Sequence, residues 1–176
     1  MNDKTIKLVA LDLDGTTLDN NHKFTPKTIE TLQRLNNAGV IIVLATGRST
    51  LDIIKHFRQL NLPQKVCPGV GYNGAHGFVC SFDGEEHINS SVFECPLNKE
   101  QCIDLVNFAK EKGHVLQYYN SNIGEVYAVP VHDTHHDLLG RYASLVGKKQ
   151  LILSNYEYAL SESLAAKILI MTHDAE

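Results

Sequence analysis

Two short apolar runs, each followed by a helical pattern, constrain the fold of this chain more than any other feature. The runs are IKLVALDL at 6–13 and VIIVLAT at 40–46. A near-continuous apolar run of this length is typical of a parallel strand that is buried on both faces. The repeated order of strand and helix therefore predicts an α/β fold with a doubly wound, Rossmann-like parallel core sheet.

The two predicted helices have clear start and stop signals. Thr25 is a good N-cap residue and is followed by proline, and Gly39 is a typical helix stop. The second helix is predicted within STLDIIKHFRQLN at 49–61. Apolar residues recur at helical spacing in both segments, as Ile29, Leu32, Leu35 and Ala38 in the first and Leu51, Ile54, Phe57 and Leu60 in the second.

The pattern changes after residue 63 and predicts a second, α+β domain. Asn73-Gly74 and Asp83-Gly84 are turn signals between apolar segments and predict hairpins. Asn98, with Gln101 as a capping-box partner, opens a helix that ends at Gly113. The remaining predicted elements are strands at 114–120, 125–131 and 167–172 and helices near 133–146 and 155–164.

Composition and charge exclude several classes of function. The 176-residue chain has a formal net charge of -4, which gives no basic footprint for nucleic acid or anionic membranes. No apolar run reaches the roughly 20 residues that span a bilayer, and the polar N-terminus is unlike a signal peptide. We therefore expect a cytoplasmic protein whose four cysteines, which show no C-x-x-C spacing, are reduced structural thiols.

Asp12 and Asp14 end the first apolar run, where an unpaired charge is costly. Residues two apart on a strand point to the same side, so the two carboxylates are candidate ligands for Mg²⁺, which prefers oxygen. One carboxylate can attack phosphorus while its neighbour transfers protons. Gly15 would let backbone N–H groups approach a phosphate. These three residues are the first candidates for a catalytic and metal site.

Thr46, Gly47 and Arg48 follow the second predicted strand and lie at the same edge of the sheet as Asp12. The threonine offers a hydroxyl to phosphate oxygens, the glycine allows a tight turn, and the arginine adds a cation. Arg48 also fits a surface residue at the start of a helix. Asn73-Gly74 likewise fits either a hairpin turn or a substrate-side position.

The motifs in combination resemble the haloacid dehalogenase superfamily of phosphohydrolases. They are D-x-D-G-T-x-L from Asp12 to Leu18, VLATGR ending at Arg48, and YNGA at 72–75, which is similar to the Cof-type branch with its large α+β cap. The resemblance implies that Asp12 is the nucleophile and Asp14 the general acid/base. It also implies that Asp12 and the backbone carbonyl of Asp14 bind Mg²⁺, that Thr46 binds the phosphoryl group, and that Asn73 and Gly74 lie near the substrate.

The resemblance also implies domain ranges: the core at 1–85, the cap at 86–166, and the start of a return to the core at 167–176. Members of the family carry a lysine and an acidic G-D-x-x-N-D-like segment after the cap. Lys148, Lys149 and Lys167 lie too early for that lysine, and THDAE at 172–176 lacks the acidic pattern. We therefore expect an incomplete core sheet and weak or absent turnover by this chain.

These features predict a Mg²⁺-dependent phosphatase that hydrolyses small phosphomonoesters, such as sugar phosphates or nucleotides, through an aspartyl-phosphate. Its expected partner is a small phosphorylated metabolite, and the oligomeric state stays open. The alternative is a truncated, catalytically impaired relative that acts as a binding or non-functional fragment. A glycosyl-transfer site built on D-x-D is a third hypothesis, which the TGR sequence at 46–48 disfavours.

Two further sequence features have a structural and a functional interpretation. HDTHHD at 132–137 places His132 and His136 four residues apart, as in some metal sites, but Asp133 favours a solvated helix start. Tyr118, Tyr119 and Tyr127 either line the inner face of the cap or pack within it, and the alternating pattern favours packing.

Overall fold

The chain divides into two compact units, Met1–Cys95 and Pro96–Glu176. They are seen in a computed structural model that describes residues 5–63, 66–83, 86–121, 125–146 and 149–172. No helix in these ranges is long and apolar enough to cross a membrane.

The first unit is a five-stranded sheet in the order β1-β2-β3-β4-β5. Its strands are β1 (Leu8–Leu11), β2 (Ile41–Ala45), β3 (Val66–Gly71), β4 (His76–Asp83) and β5 (Glu86–Glu94), with helices α1 (Pro26–Asn37) after β1 and α2 (Thr50–Leu60) after β2. The first three strands are parallel and the last two pairings are antiparallel. The predicted α/β fold is confirmed.

The helix starts of the first unit depend on side-chain caps. The Thr25 side chain accepts a hydrogen bond from the Thr28 backbone N–H, and Ser49 does the same for Asp52. Each cap satisfies one of the N–H groups that the first turn of a helix leaves without an internal partner. Gly39 follows α1 with φ +85°, which confirms the predicted helix stop.

Helices α1 and α2 share a core with the sheet. The buried members of this core on α2 and the strands are Ile53, Ile54, Phe57, Leu60, Ile42, Leu44, Cys67, Phe78 and Cys80. The predicted inner face of α2 is wrong at Leu51, which is 43% exposed, whereas Ile53 is fully buried. Ile53, Phe57 and Leu60 follow one another at spacings of four and three, so they form one row on the helix surface.

The other face of the parallel strands is exposed. Leu8 on β1 is 51% exposed, and Ile41, its partner in register on β2, is 42% exposed. Val66 at the start of β3 is 60% exposed. Neighbouring residues along β2 therefore differ sharply in their environment, because successive side chains of a strand point to opposite faces.

A tight turn joins β3 to β4. Asn73 and Gly74 have φ angles of +57° and +99° between β3 and β4, which confirms the predicted hairpin. Asn and Gly are the residues that adopt such angles at least cost. The second predicted turn lies between β4 and β5, whose antiparallel pairing ends at Asp83 and Glu86. Gly84 itself lies outside the described residues.

The second unit is a four-stranded sheet in the order β8-β7-β6-β9. Its elements are α3 (Lys99–Lys112), β6 (Val115–Asn120), β7 (Val126–Ala128), α4 (Asp133–Val146), β8 (Leu151–Ile152), α5 (Glu157–Glu162) and β9 (Ala165–Met171). The predicted capping box of Asn98 and Gln101 is present, and α3 ends at Gly113. Tyr118 and Tyr127 are buried with Cys102 and Val106, as the packing interpretation predicts.

Two strands lie near the boundaries of the predicted ranges 1–85, 86–166 and 167–176. Strand β5 pairs along its length with β4 and so belongs to the first unit. Strand β9 pairs with β6 and so belongs to the second. Backbone pairing decides both cases, since a strand is stabilised by the partner whose hydrogen-bonding groups it meets. The ranges for the core and cap of the whole protein stay predictions.

The histidine-rich segment at 132–137 has a structural role at its middle histidine. His135 is buried, its Nδ1 accepts a hydrogen bond from the Val131 backbone N–H (3.3 Å), and its Nε2 lies 3.0 Å from the Gly113 carbonyl oxygen. Among the described residues, no group of three or more histidine, cysteine or acidic side chains is placed to hold a metal ion.

Candidate active site

The carboxyl ends of β1, β2 and β3 bring together three segments of the predicted site. These segments, 12–17, 46–48 and 72–73, directly follow their strands. Backbone hydrogen bonds join the last two, from Tyr72 N to the Arg48 carbonyl oxygen (2.9 Å) and from Asn73 N to that of Thr46 (3.3 Å). This is the edge at which open α/β sheets bind ligands.

Asp12 has its carboxylate oriented by a hydroxyl that the sequence reasoning did not assign. Thr16 Oγ1 donates to Asp12 Oδ2 over 2.8 Å, and Thr17 Oγ1 donates to the Asp12 carbonyl oxygen over 2.6 Å. Residues 13–17 form a wide turn that the Leu18 N–H closes on the Leu13 carbonyl oxygen (2.9 Å). Two hydroxyls of the turn that follows Asp12 therefore fix its position.

Gly15 is the one residue of this turn with a positive φ angle, +74°. A Cβ at this position would meet nothing within 4 Å, so backbone conformation and not crowding requires glycine here. The turn redirects the chain between Asp14 and Thr16.

Asp14 forms a bidentate salt bridge with Arg48. Arg48 Nε lies 2.7 Å from Asp14 Oδ2 and Arg48 Nη2 lies 2.6 Å from Asp14 Oδ1. The hydrogen bond from Arg48 holds the pKa of Asp14 below its ordinary value, and burial opposes this shift. Arg48 is only 15% exposed in its side chain, so the structure places it in the site and not on the open surface.

His22 also contacts Asp14, and sequence reasoning missed it. Its Nδ1 lies 3.0 Å from Asp14 Oδ1 and 3.4 Å from Arg48 Nη2. The backbone of His22 is left-handed, with φ +56°, within a turn that Asp19 anchors by accepting hydrogen bonds from the Asn21 and Lys23 N–H groups. The only signal in the sequence was the run of turn-forming residues at 19–21.

Thr46 and Gly47 connect β2 to the first turn of α2. Thr46 is buried, and its Oγ1 accepts a hydrogen bond from the Arg48 N–H over 3.3 Å. Thr46, Gly47 and Arg48 therefore follow β2 directly, and the Arg48 side chain contacts Asp14. The structure brings Thr46, Arg48, Asp12 and Asp14 to one end of the sheet.

Tyr72, Asn73 and Gly74 form the turn after β3. The Tyr72 side chain is buried, and burial raises its pKa to about 12. Asn73 and Gly74 are exposed, and the Asn73 backbone is held against Thr46. Their role toward substrate stays a prediction.

The donor set at Asp12 and Asp14 fits a hard cation. Carboxylate and carbonyl oxygens are the ligands that Mg²⁺ prefers. The Asp12 carboxylate and the Asp14 backbone carbonyl are donors of that kind, whereas the Asp14 carboxylate is already engaged by Arg48.

Comparison with known proteins shows the family to which the chain is similar. The sequence model of a family described as haloacid dehalogenase-like hydrolase matches residues 9–171. Phosphatase YwpJ of Bacillus subtilis is 33% identical over 125 residues, which are 71% of this chain and 39% of that protein. An HMP-PP phosphatase of Shigella flexneri is 37% identical over 79 residues, which are 45% of this chain and 27% of that protein.

A haloacid dehalogenase-like hydrolase from Bacteroides thetaiotaomicron shares the fold. Its crystal structure matches with a TM-score of 0.73 at 23% identity, covering 96% of this chain and 59% of that one. The chain thus spans less than half the length of the two phosphatases it matches and about three fifths of the solved neighbour. Because the family match covers nearly the whole chain and the predicted motifs lie together at the strand ends, this chain belongs to the haloacid dehalogenase-like hydrolases.

Proposed function

We propose that the protein is a Mg²⁺-dependent phosphoric monoester hydrolase in which Asp12 is the nucleophile. The observation that carries the proposal is the Asp12 carboxylate, which Thr16 orients at the carboxyl end of β1. Thr46 and Arg48 lie at the end of the adjacent strand, where a phosphoryl group attacked by Asp12 needs a hydroxyl donor and a cation.

In the proposed reaction, an Asp12 oxygen forms a bond to phosphorus as the bond from phosphorus to the leaving oxygen breaks. Asp14, after taking up a proton from solvent, gives that proton to the leaving oxygen. Water then attacks phosphorus, Asp14 takes back a proton, and the bond between Asp12 and phosphorus breaks to release inorganic phosphate. Thr46 would donate a hydrogen bond to a phosphoryl oxygen during both steps.

Mg²⁺ bound by the Asp12 carboxylate and the Asp14 backbone carbonyl would offset the negative charge of the nucleophile and the phosphoryl group. The donor chemistry of these residues supports this assignment. Arg48 contributes positive charge next to the Asp14 carboxylate.

For the substrate, we propose small soluble phosphomonoesters such as sugar phosphates or nucleotides, and we expect the protein to work in the cytoplasm. The names of relatives support the chemical class. One is named a 5-amino-6-(5-phospho-D-ribitylamino)uracil phosphatase, another an HMP-PP phosphatase, and a solved neighbour of the same fold a sugar phosphatase. The second unit would select among substrates as the cap.

The test compares phosphate release from p-nitrophenyl phosphate with Mg²⁺ by the chain and by Asp12→Asn. We expect the variant to lose at least about 10²-fold of the rate, because the nucleophile is removed. Asp104→Asn, an exposed aspartate on α3, is the matched control and should keep the rate. Equal rates for the chain and Asp12→Asn would disprove the mechanism.

A second readout does not depend on turnover. Beryllium trifluoride, which mimics a phosphoryl group on a carboxylate, should give a bound ¹⁹F resonance with the chain and none with Asp12→Asn. Bound signal without phosphate release would identify the catalytically impaired alternative. Absence of both signal and turnover would refute the site.

A further inference from the structure

We propose that Arg48 is shared between Asp14 and the phosphoryl group of the substrate, so that phosphate binding frees the Asp14 carboxylate for the leaving oxygen. The inference rests on the proposed function and adds that Asp14 and the substrate compete for Arg48. Two anionic groups, one on the protein and one on the substrate, would bind the same guanidinium edge.

The geometry of Arg48 supports sharing. Its Nε and Nη2 atoms, which form one edge of the guanidinium, both contact Asp14, at 2.7 and 2.6 Å. Carboxylates and phosphates bind this fork in the same two-pronged way. A phosphate that takes this edge must therefore displace the Asp14 carboxylate.

The backbone of Arg48 is fixed by the other two segments of the site. Its N–H donates to Thr46 Oγ1 over 3.3 Å, and its carbonyl oxygen accepts from the Tyr72 N–H over 2.9 Å. In the proposed exchange of partners, the backbone of Arg48 would stay in place and its side chain would rotate. Thr46, the proposed phosphoryl ligand, is two residues away, so the guanidinium is within a side-chain length of the phosphate position.

The exchange of Arg48 from Asp14 to phosphate would control when Asp14 can transfer a proton. A carboxylate held by two hydrogen bonds from a guanidinium is fixed in one orientation, whereas proton transfer to a leaving oxygen requires it to reach that oxygen. His22 Nδ1, 3.0 Å from Asp14 Oδ1, remains beside the carboxylate when the guanidinium turns away. Asp14 would therefore become available only when a phosphoryl group is bound.

The test measures the affinity of inorganic phosphate by calorimetry, without metal, for the chain and for Asp14→Asn. We expect phosphate to bind about three- to tenfold more tightly to Asp14→Asn than to Asp12→Asn. Asp12→Asn is the matched control, because it removes the same charge two residues away and leaves the two hydrogen bonds from Arg48 to Asp14 in place. In an Arg48→Gln background, Asp14→Asn and Asp12→Asn should change the affinity equally. Near-UV circular dichroism of each variant checks that it is folded.

The outcomes separate this inference from the proposed function. If Asp14→Asn and Asp12→Asn raise the affinity for phosphate equally while Arg48 is present, phosphate does not compete with Asp14 for Arg48. That result would overturn the sharing of Arg48 and leave the proposed phosphate site intact. A gain at Asp14→Asn that persists in the Arg48→Gln background would overturn sharing as well. Failure of the chain and all variants to bind phosphate would also overturn sharing, whereas the turnover and beryllium trifluoride experiments test the proposed function separately.

Discussion

At the scale of single residues, the two aspartates of the D-x-D motif have different partners. Asp12 accepts a hydrogen bond from the neutral hydroxyl of Thr16, whereas Asp14 is held by Arg48 and His22. A nucleophile needs an accessible, ionised oxygen, and a proton carrier needs a partner that controls when it moves. The two aspartates therefore have distinct surroundings, and the roles of nucleophile and proton carrier that the resemblance implies for them stay predictions.

His22 is one of three residues near the site, with Tyr72 and Asn73, that have a left-handed backbone without being glycine. An L-residue with φ +56° is less stable than glycine in that conformation. We expect His22→Gly to have a free energy of unfolding about 1 kcal/mol higher than His22→Ala, because both lose the imidazole and only alanine retains the Cβ. Urea unfolding of the two variants measures the difference, and a more stable His22→Ala would show that the turn does not require a left-handed residue.

At the scale of secondary-structure elements, strand β2 separates a buried from an exposed face. Ile42 is 1% exposed in the core beneath α1 and α2, whereas Ile41 lies on the exposed face beside Leu8. The same type of side chain, one residue apart, therefore contributes very differently to stability.

We expect Ile42→Ala to lower the free energy of unfolding by about 2–5 kcal/mol, because it leaves a cavity in the core. Ile41→Ala on the same strand should cost less than about 1 kcal/mol. Chemical denaturation of both variants followed by far-UV circular dichroism tests this difference. Similar losses at the two positions would mean that the exposed face is covered in solution.

The elements that sequence reasoning predicted well are those with local signals. Thr25, Asn98 and Gly113 end or begin their helices as predicted, because a cap is satisfied by residues three or four positions away. The inner face of α2 was less predictable. Leu51 and Ile53 are both apolar, and only packing against the sheet selects Ile53.

At the scale of the whole molecule, a buried histidine makes the stability of the first unit depend on pH. His56 in the first unit is buried, with Nδ1 2.6 Å from the Asp52 carbonyl oxygen, and burial lowers its pKa from the ordinary 6.5. A group with a lowered pKa when folded takes up a proton more readily once unfolded. Its contribution to stability is therefore present above pH 6.5 and is lost as the pH falls.

We expect the free energy of unfolding of the first unit to decrease as the pH falls below about 6.5, more steeply for the native chain than for His56→Gln. Urea unfolding between pH 7.5 and 5, about the ordinary range of histidine titration, measures both slopes. His135→Gln in the second unit is a control for general loss of a buried histidine. Identical slopes for the chain and His56→Gln would show that His56 does not carry the effect.

The sequence by itself determined the alternation of strand and helix in the first 61 residues, the start of α1 at Thr25, both ends of α3, and the candidate site residues Asp12, Asp14, Thr46 and Arg48. All of these depend on residue type and on neighbours along the chain. Tertiary structure alone decided that β5 and β9 pair within their present sheets and that Arg48 and His22 meet on Asp14. Arg48 is 34 residues from Asp14 along the chain, so only the pairing of β1 with β2 brings them together. Local patterns identify which groups are present, and long-range packing decides which of them touch.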